Sequence, residues 1–322
     1  MPYAIRIHEP GGPEKMRWEE VQVGSPGAGE VRVRNTAVGL NFIDVYHRRG
    51  LYPYAMPLTL GREGAGIVEA VGPKVKEFKA GDRVAYEQPI GSYAEVCLRP
   101  VERLVKIPDG IEDRVAAAIM MKGLTAWFLI RRTYRLKEGD TILVHAAAGG
   151  VGQILCQWAK YLGATVIGTV SSDEKAAFAK RSGCKHVIVT SKENFVEHVG
   201  QITKGRGVRV VYDGVGKDTF AGSLDCLAPL GLMVVFGSAS GAVAPFDLSL
   251  LAKRSLFLTR PGLLNYTARR EDLLRAAREL FAVVKKKAVK VSINQTYPLR
   301  EAAQAHRDLE ARKTTGATVL LP

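Results

Sequence analysis

The sequence predicts an α/β protein in which a doubly wound parallel sheet is joined to a small, irregular β-barrel. Three observations carry this. Residues 1 to about 112 form short β-like runs broken by Gly and Pro. From about Asp113, apolar strands alternate with helical stretches. One of those strands runs straight into the Gly-rich turn Ala146 to Gly152. Alternating βα units with wholly apolar strands imply a parallel sheet covered on both faces. Short runs with frequent turn residues suit a small barrel.

In the first part, strands are predicted at Ala4 to Ile7, Val31 to Arg34, Ala65 to Val68 and Val84 to Tyr86. The turns between them are marked by Gly11-Gly12-Pro13, Gly24 to Gly29, Gly72-Pro73 and Gly81-Asp82. A long helical stretch then runs from Ala116 to Arg131. Next come a strand from Thr141, a helix from Val151, a strand from Ala164 and a helix from Ser172. Further strands are predicted at His186 to Val189, Val208 to Tyr212, Leu232 to Phe236 and Leu256 to Thr259. The remainder reads as a helix from Glu271, a strand near Val291, a helix from Arg300 and a strand at Thr318 to Leu321.

Composition narrows the function. A length of 322 residues favours two domains over one core. Apolar residues at 47% and charged residues at 24% exclude disordered, collagenous and coiled-coil classes. No apolar run reaches the roughly 18 residues a membrane helix needs. The N-terminus lacks the apolar core of a signal peptide, so a cytoplasmic location is expected. Cys97, Cys156, Cys184 and Cys226 stand far apart, which excludes a disulfide framework or zinc knuckle. The net charge of +14 suits an anionic small molecule. The basic residues are scattered without interleaved aromatics, so nucleic acid is the lesser reading.

The turn at Ala146 to Gly152 puts Ala147, Gly149 and Gly152 at the three positions of a GxGxxG pattern. Gly149 lets backbone approach a pyrophosphate, and Gly152 lets the helix pack on the sheet. The helix N-terminus then offers free N–H groups to phosphate. Gly149, Gly150 and Val151 are therefore the predicted cradle of a dinucleotide. The second strand ends in Ser171-Ser172, with no acid to hold a ribose 2′-OH, and Lys175 follows. Hydroxyls and a cation suit a 2′-phosphate, so the predicted cofactor is NADPH. Ser171 with Glu174 fits a capping box for the following helix.

Several blocks, in order, resemble the zinc-free NADPH:quinone oxidoreductases of the medium-chain dehydrogenase/reductase superfamily, the family of zeta-crystallin. They are Gly39 to Pro53, Leu60 to Gly66, Ala80 to Val84, Lys122 to Ala126, His145 to Gly152, Val210 to Asp213, Leu232 to Gly237 and Leu258 to Pro261. The resemblance implies a GroES-like substrate domain of residues 1–122 and 265–322. It implies a Rossmann domain of residues 123–264, with the active site in the cleft between the two. Alcohol dehydrogenases of the same superfamily hold a catalytic zinc. They have Cys where this chain has Asn41, His where it has Arg62, and Cys near Met121-Lys122. Their four-Cys lobe is missing from Gln88 to Tyr93, and His47 is the only nearby imidazole. Zinc needs three or four such ligands, so no metal is expected. The implied acceptor is then already electron-poor, a quinone or an enone, and needs only positioning and a hydrogen-bond donor.

By the same resemblance, Tyr46 donates to the substrate oxygen, with Tyr52 as a second donor and Asn41 offering its amide. Phe42, Ile43, Thr125 and Phe128 accompany them at the nicotinamide end. Ser171, Ser172, Lys175 and Thr190 hold the adenosine phosphate, Thr190 standing where many relatives have Tyr. Phe236, Gly237, Ser238, Arg260, Pro261 and Arg312 line the cofactor groove. Two further readings are an NADPH-dependent 2-alkenal or enoyl reductase and an RNA-binding crystallin-like protein. The apolar run Leu256-Phe257-Leu258 predicts a sheet edge, paired across a homodimer as in family members.

Overall fold

The structure is a computed structural model that describes all 322 residues. Two compact units divide the chain. One comprises Met1–Leu124, Arg269–Lys285 and Val291–Pro322; the other comprises Thr125–Ala268 and Lys286–Lys290.

The second unit is built on one six-stranded, all-parallel sheet. Its strand order is His186–Val189, Thr165–Val170, Thr141–Val144, Val208–Asp213, Leu227–Val235, Phe257–Thr259. The sequence explains the arrangement. Thr141-Ile-Leu-Val144 and Thr165 to Val170 are buried along nearly their whole length, as strands covered on both faces must be. Leu143, Ile167, Ile188, Val211 and Met233 form one core cluster beside Val199, Phe220 and Leu224 from the helices. Helix Gly150–Tyr161 buries Ile154, Leu155, Cys156 and Trp158. Burying each such large apolar side chain contributes roughly 1.5–3 kcal/mol. The strand expected from Leu232 starts five residues earlier, at Leu227, because the pairing with Val208–Asp213 begins at Val208↔Leu227 before a bulge.

The first unit holds the irregular barrel. Its main sheet runs Ile293–Pro298, Ala317–Leu321, Glu30–Leu40, Glu63–Val71, Arg83–Tyr86, Val105–Lys106. The long strand Glu30–Leu40 also pairs with Val96–Pro100 over its first residues. A register shift between Asn35 and Ala37 bends it, so that its last residues pair with Ala317–Leu321. A three-stranded sheet of Arg17–Glu20, Tyr3–Ile7 and Leu58–Thr59 completes the unit. Helix Phe42–Arg48, immediately after the long strand, was not foreseen, nor were helices Phe195–Thr203 and Phe220–Cys226 of the other unit. Asn41 is still extended, and the Asp44 carboxylate, three residues on, accepts its N–H at 2.9 Å. No helix in either unit is long and apolar enough to cross a membrane.

Candidate active site

At the carboxyl end of strand Thr141–Val144 the chain turns into helix Gly150–Tyr161. The left-handed residue of this turn is Ala146, with φ 51°, whereas the GxGxxG alignment put the first special position on Ala147. An L-residue there costs roughly 1–2 kcal/mol, so the surrounding turn must enforce it. A Cβ at Gly152 would lie 2.4 Å from the Ala146 carbonyl oxygen and 2.7 Å from that of Ala147. Both are backbone atoms, so Gly152 must lack a side chain. Gly149 is less constrained, its nearest such contact being 3.1 Å. It is the extended N-cap, which leaves the first N–H groups of the helix without intrahelical acceptors.

The neighbouring strand ends at Val170. Ser172, still extended, caps helix Asp173–Arg181 by accepting the Lys175 N–H at 3.4 Å. The cap is therefore Ser172 and not Ser171, because ladder pairing holds the chain extended through Val170↔Val189. Ser171 is left to accept from Lys175 Nζ, also at 3.4 Å. Asp173 is ion-paired with Lys192 at 2.5 Å. Thr190, after strand His186–Val189, is exposed and donates its hydroxyl to the Val170 carbonyl at 3.1 Å.

Two strands further on, Phe236, Gly237 and Ser238 follow Leu227–Val235. The Phe236 ring covers Gly214, where a Cβ would come within 2.9 Å of it, and Gly237 backs onto the Gly214 carbonyl. Buried Asp213 ties this turn down. Its carboxylate accepts from the Val215 and Gly216 N–H groups at 2.8 and 3.0 Å and from the Thr219 hydroxyl at 2.8 Å. Arg260, which follows Phe257–Thr259 and precedes Pro261, donates to Ser238 Oγ at 3.1 Å. The nominated residues from Gly149 to Pro261 thus collect at the carboxyl ends of the parallel strands, where open α/β sheets bind ligands. His145 at the same edge was not singled out. It is buried between Thr169 Oγ1 and Ser223 Oγ, each at 2.8 Å, and burial pushes its pKa down to about 4. Phe128 is buried and stacked on Tyr266, ring centroids 4.6 Å apart. Thr125, on the same helix, is half-buried.

In the first unit, Asn41 caps helix Phe42–Arg48, which carries Ile43 and Tyr46 half-buried on it. The Tyr46 ring meets Phe42 edge-on at 5.4 Å and Tyr52 at 6.3 Å. His47 joins the same aromatic group through Tyr52 and Tyr54. Burial, then the Arg62 charge, lowers its pKa to about 4. Arg312 is exposed, in the left-handed region just past helix Ala302–Glu310.

The sequence reading missed the centre of this unit, Glu63. Its Oε2 accepts from Asn41 Nδ2 at 2.8 Å and from Lys122 Nζ at 2.7 Å, while Oε1 accepts the Met121 N–H at 2.6 Å. Glu63 and Lys122 both stand in segments that carried the resemblance, but nothing local in the sequence pairs them. Asp44, also buried, accepts from the Tyr93 hydroxyl at 3.0 Å, and its carboxyl is pushed up to about 7 by burial. Behind it His306 Nδ1 lies 2.9 Å from Arg48 Nη1 and His306 Nε2 lies 3.1 Å from the Tyr93 hydroxyl. Arginine only donates, so the Nε2–H of neutral His306 faces Tyr93. No three His, Cys, Asp or Glu side chains converge as a metal site.

Residues 150–281 match the family model of zinc-binding dehydrogenases, and residues 27–109 match that of the alcohol dehydrogenase GroES-like domain. The chain is 53% identical over 315 residues to a quinone oxidoreductase of Pseudomonas aeruginosa, covering 97% of each. It is 47% identical to a 2-haloacrylate reductase of Burkholderia sp, covering 100% of this chain and 99% of that one. The Escherichia coli quinone oxidoreductase, solved in complex with NADPH, superposes with a TM-score of 0.97 at 46% identity over 99% of this chain and 100% of that one.

Proposed function

This chain belongs to the quinone oxidoreductase family of the medium-chain dehydrogenases and reductases, and from that premise we propose that it reduces quinones with NADPH as the electron source. When bound, NADPH supplies a hydride. The chain's own groups bind, orient and donate. The free N–H groups of Gly150 and Val151 take the pyrophosphate, and Gly152 keeps that turn clear. The observation that carries the cofactor reading is the Ser171–Lys175 pair, a hydroxyl and an ammonium 3.4 Å apart at a strand end with no terminal acid. It suits a 2′-phosphate. Thr190, Ser238 and Arg260 add polar groups along the same cofactor.

Tyr46 donates its phenol O–H where negative charge grows on the acceptor oxygen. The rings of Phe42, Tyr46 and Tyr52 give a flat, electron-poor acceptor aromatic surface to pack on. Glu63 fixes the Asn41 amide through Nδ2. Zinc does not suit the positions at which alcohol dehydrogenases of this superfamily hold it. Charged Arg62 and Lys122 offer no lone pair, and the hydrogen bonds of Asn41 and Lys122 occupy Glu63 Oε2. We therefore assign the chain a zinc-free reaction, restricted to acceptors that need no Lewis acid.

We assign substrate binding to residues 1–122 and 265–322 and cofactor binding to residues 123–264. Strand Phe257–Thr259 is the outer strand of its sheet, with Phe257 58% exposed, and this open apolar edge supports a homodimer. Four buried, unpaired thiols suit the cytoplasm. A second reading, reduction of a polarised alkene, is favoured by the similarity to a 2-haloacrylate reductase. NADPH oxidation by the purified chain, measured side by side with benzoquinone, phenanthrenequinone, a 2-alkenal and 2-chloroacrylate, separates the two. Turnover with quinones is expected. Turnover with the alkenes alone overturns the quinone assignment.

A further inference from the structure

His145 follows strand Thr141–Val144 and stands one residue before left-handed Ala146. His145, Thr169 and Ser223 are all buried, so their polar atoms must satisfy one another. One anchor fixes the direction of every bond among them. Ser223 Oγ donates its single proton to the Thr219 carbonyl at 2.7 Å. It therefore accepts from His145 Nε2 at 2.8 Å, and that nitrogen carries the imidazole proton. Nδ1 is left with a bare lone pair and accepts the Thr169 hydroxyl proton at 2.8 Å. Burial outweighs the nearby Asp213 charge and pushes the His145 pKa down to about 4, so no second proton reverses this order at neutral pH.

The same residues hold the turn that the sequence nominates for pyrophosphate. The Thr169 carbonyl accepts the Ala147 N–H at 3.0 Å, and the Tyr212 carbonyl accepts the His145 N–H at 3.0 Å. Ala146 lies between these two anchors at φ 51°, a conformation that an L-residue keeps only under constraint. Its carbonyl accepts the Gly149 N–H at 2.9 Å, where helix Gly150–Tyr161 begins. At the far end of the chain of bonds, the Thr219 hydroxyl donates to Asp213, whose carboxylate holds the Val215 and Gly216 N–H groups. Phe195 meets the imidazole edge-on at 5.0 Å and fixes the plane of the ring. One imidazole thus ties together the ends of three parallel strands.

We propose that His145, as its Nε2–H tautomer, is a positioning residue for the dinucleotide, holding Ala146 and the turn after it in the binding conformation before the cofactor arrives. The role rests on the NADPH reading of this unit. A turn held in advance leaves no ordering to be done on binding. When the Thr169 or Ser223 bond is lost, that ordering falls on the cofactor. NADPH and NADH share the pyrophosphate, so both lose affinity by the same factor.

The test uses the full chain and no turnover. The imidazole nitrogen resonances of the free protein are expected to place the His145 proton on Nε2. Thr169→Val and Ser223→Ala each remove one bond with little change of shape. NADPH and NADH affinities are measured by fluorescence titration at a temperature where circular dichroism shows each variant fully folded. Each variant is expected to weaken both dinucleotides by about tenfold. His145→Phe keeps an aromatic ring and loses both bonds, and is expected to weaken them further; if it does not fold, the two milder variants decide. A proton on Nδ1 overturns the proposal. Unchanged affinity in both milder variants also overturns it, even with a lowered unfolding midpoint, because a purely structural role would move stability alone. A loss confined to NADPH overturns it as well, by assigning the effect to the adenosine end. A parent chain that binds neither dinucleotide overturns the cofactor reading itself, which separates the two failures.

Discussion

Lys122 and Glu63 are 59 residues apart in sequence and 2.7 Å apart in space, with side chains 6% and 0% exposed. The same Glu63 oxygen holds Asn41, so one carboxylate joins the strand end, the helix cap and the long helix Asp113–Phe128.

Removing one partner leaves a buried charge alone. Lys122→Met is expected to destabilise the protein by about 3–5 kcal/mol in urea unfolding. Adding Glu63→Gln to it should restore part of that loss. A single variant as stable as the parent would show that the pair is solvated.

Gly152→Ala places a Cβ against two backbone carbonyls at 2.4 and 2.7 Å, whereas Gly149→Ala meets its nearest at 3.1 Å. Fluorescence titration should show NADPH binding lost in the first and only weakened in the second. The reverse order would contradict the geometry of the turn.

Lys175→Ala is expected to raise the KM for NADPH more than that for NADH, because only NADPH carries the 2′-phosphate. Steady-state kinetics with both cofactors measure this, and equal effects would remove Lys175 from the phosphate site.

Tyr46→Phe keeps the ring and loses the donor. Turnover should fall by about a hundredfold with NADPH affinity nearly intact. Unchanged turnover would remove the phenol from the chemistry.

Stability should fall in acid. His47, His145 and His306 are held neutral in the fold, their pKa values lowered by burial to about 4, about 4 and about 3. The unfolded chain protonates all three below about pH 6.5, so stability is lost as pH falls from there. Asp44 acts in the opposite sense. Its carboxyl titrates near 7 in the fold and at about 3.9 unfolded, so its contribution is lost as pH rises through that window. Three groups outweigh one, and urea midpoints should drop from about pH 6.5 to 4.5. Asp44→Asn should then stabilise the protein at about pH 8. No change there would mean that the Asp44 charge carries no burial cost.

The sequence by itself determined the parallel sheet, the Gly-rich turn between strand and helix, and the hydroxyl-bearing strand end at Ser171. These are local patterns: apolar runs, a glycine where a helix meets a strand, hydroxyls where an acid would stand. It misplaced by one residue the special turn position, Ala146, and the helix cap, Ser172, because ladder pairing with distant strands decides where a strand lets go. Only the tertiary structure decided that Glu63 meets Lys122, that Asp44 meets Tyr93, and that Tyr93 meets His306. Each of these joins groups far apart in the chain. Their energies come from desolvation and close approach, and neither exists until the barrel has closed around them.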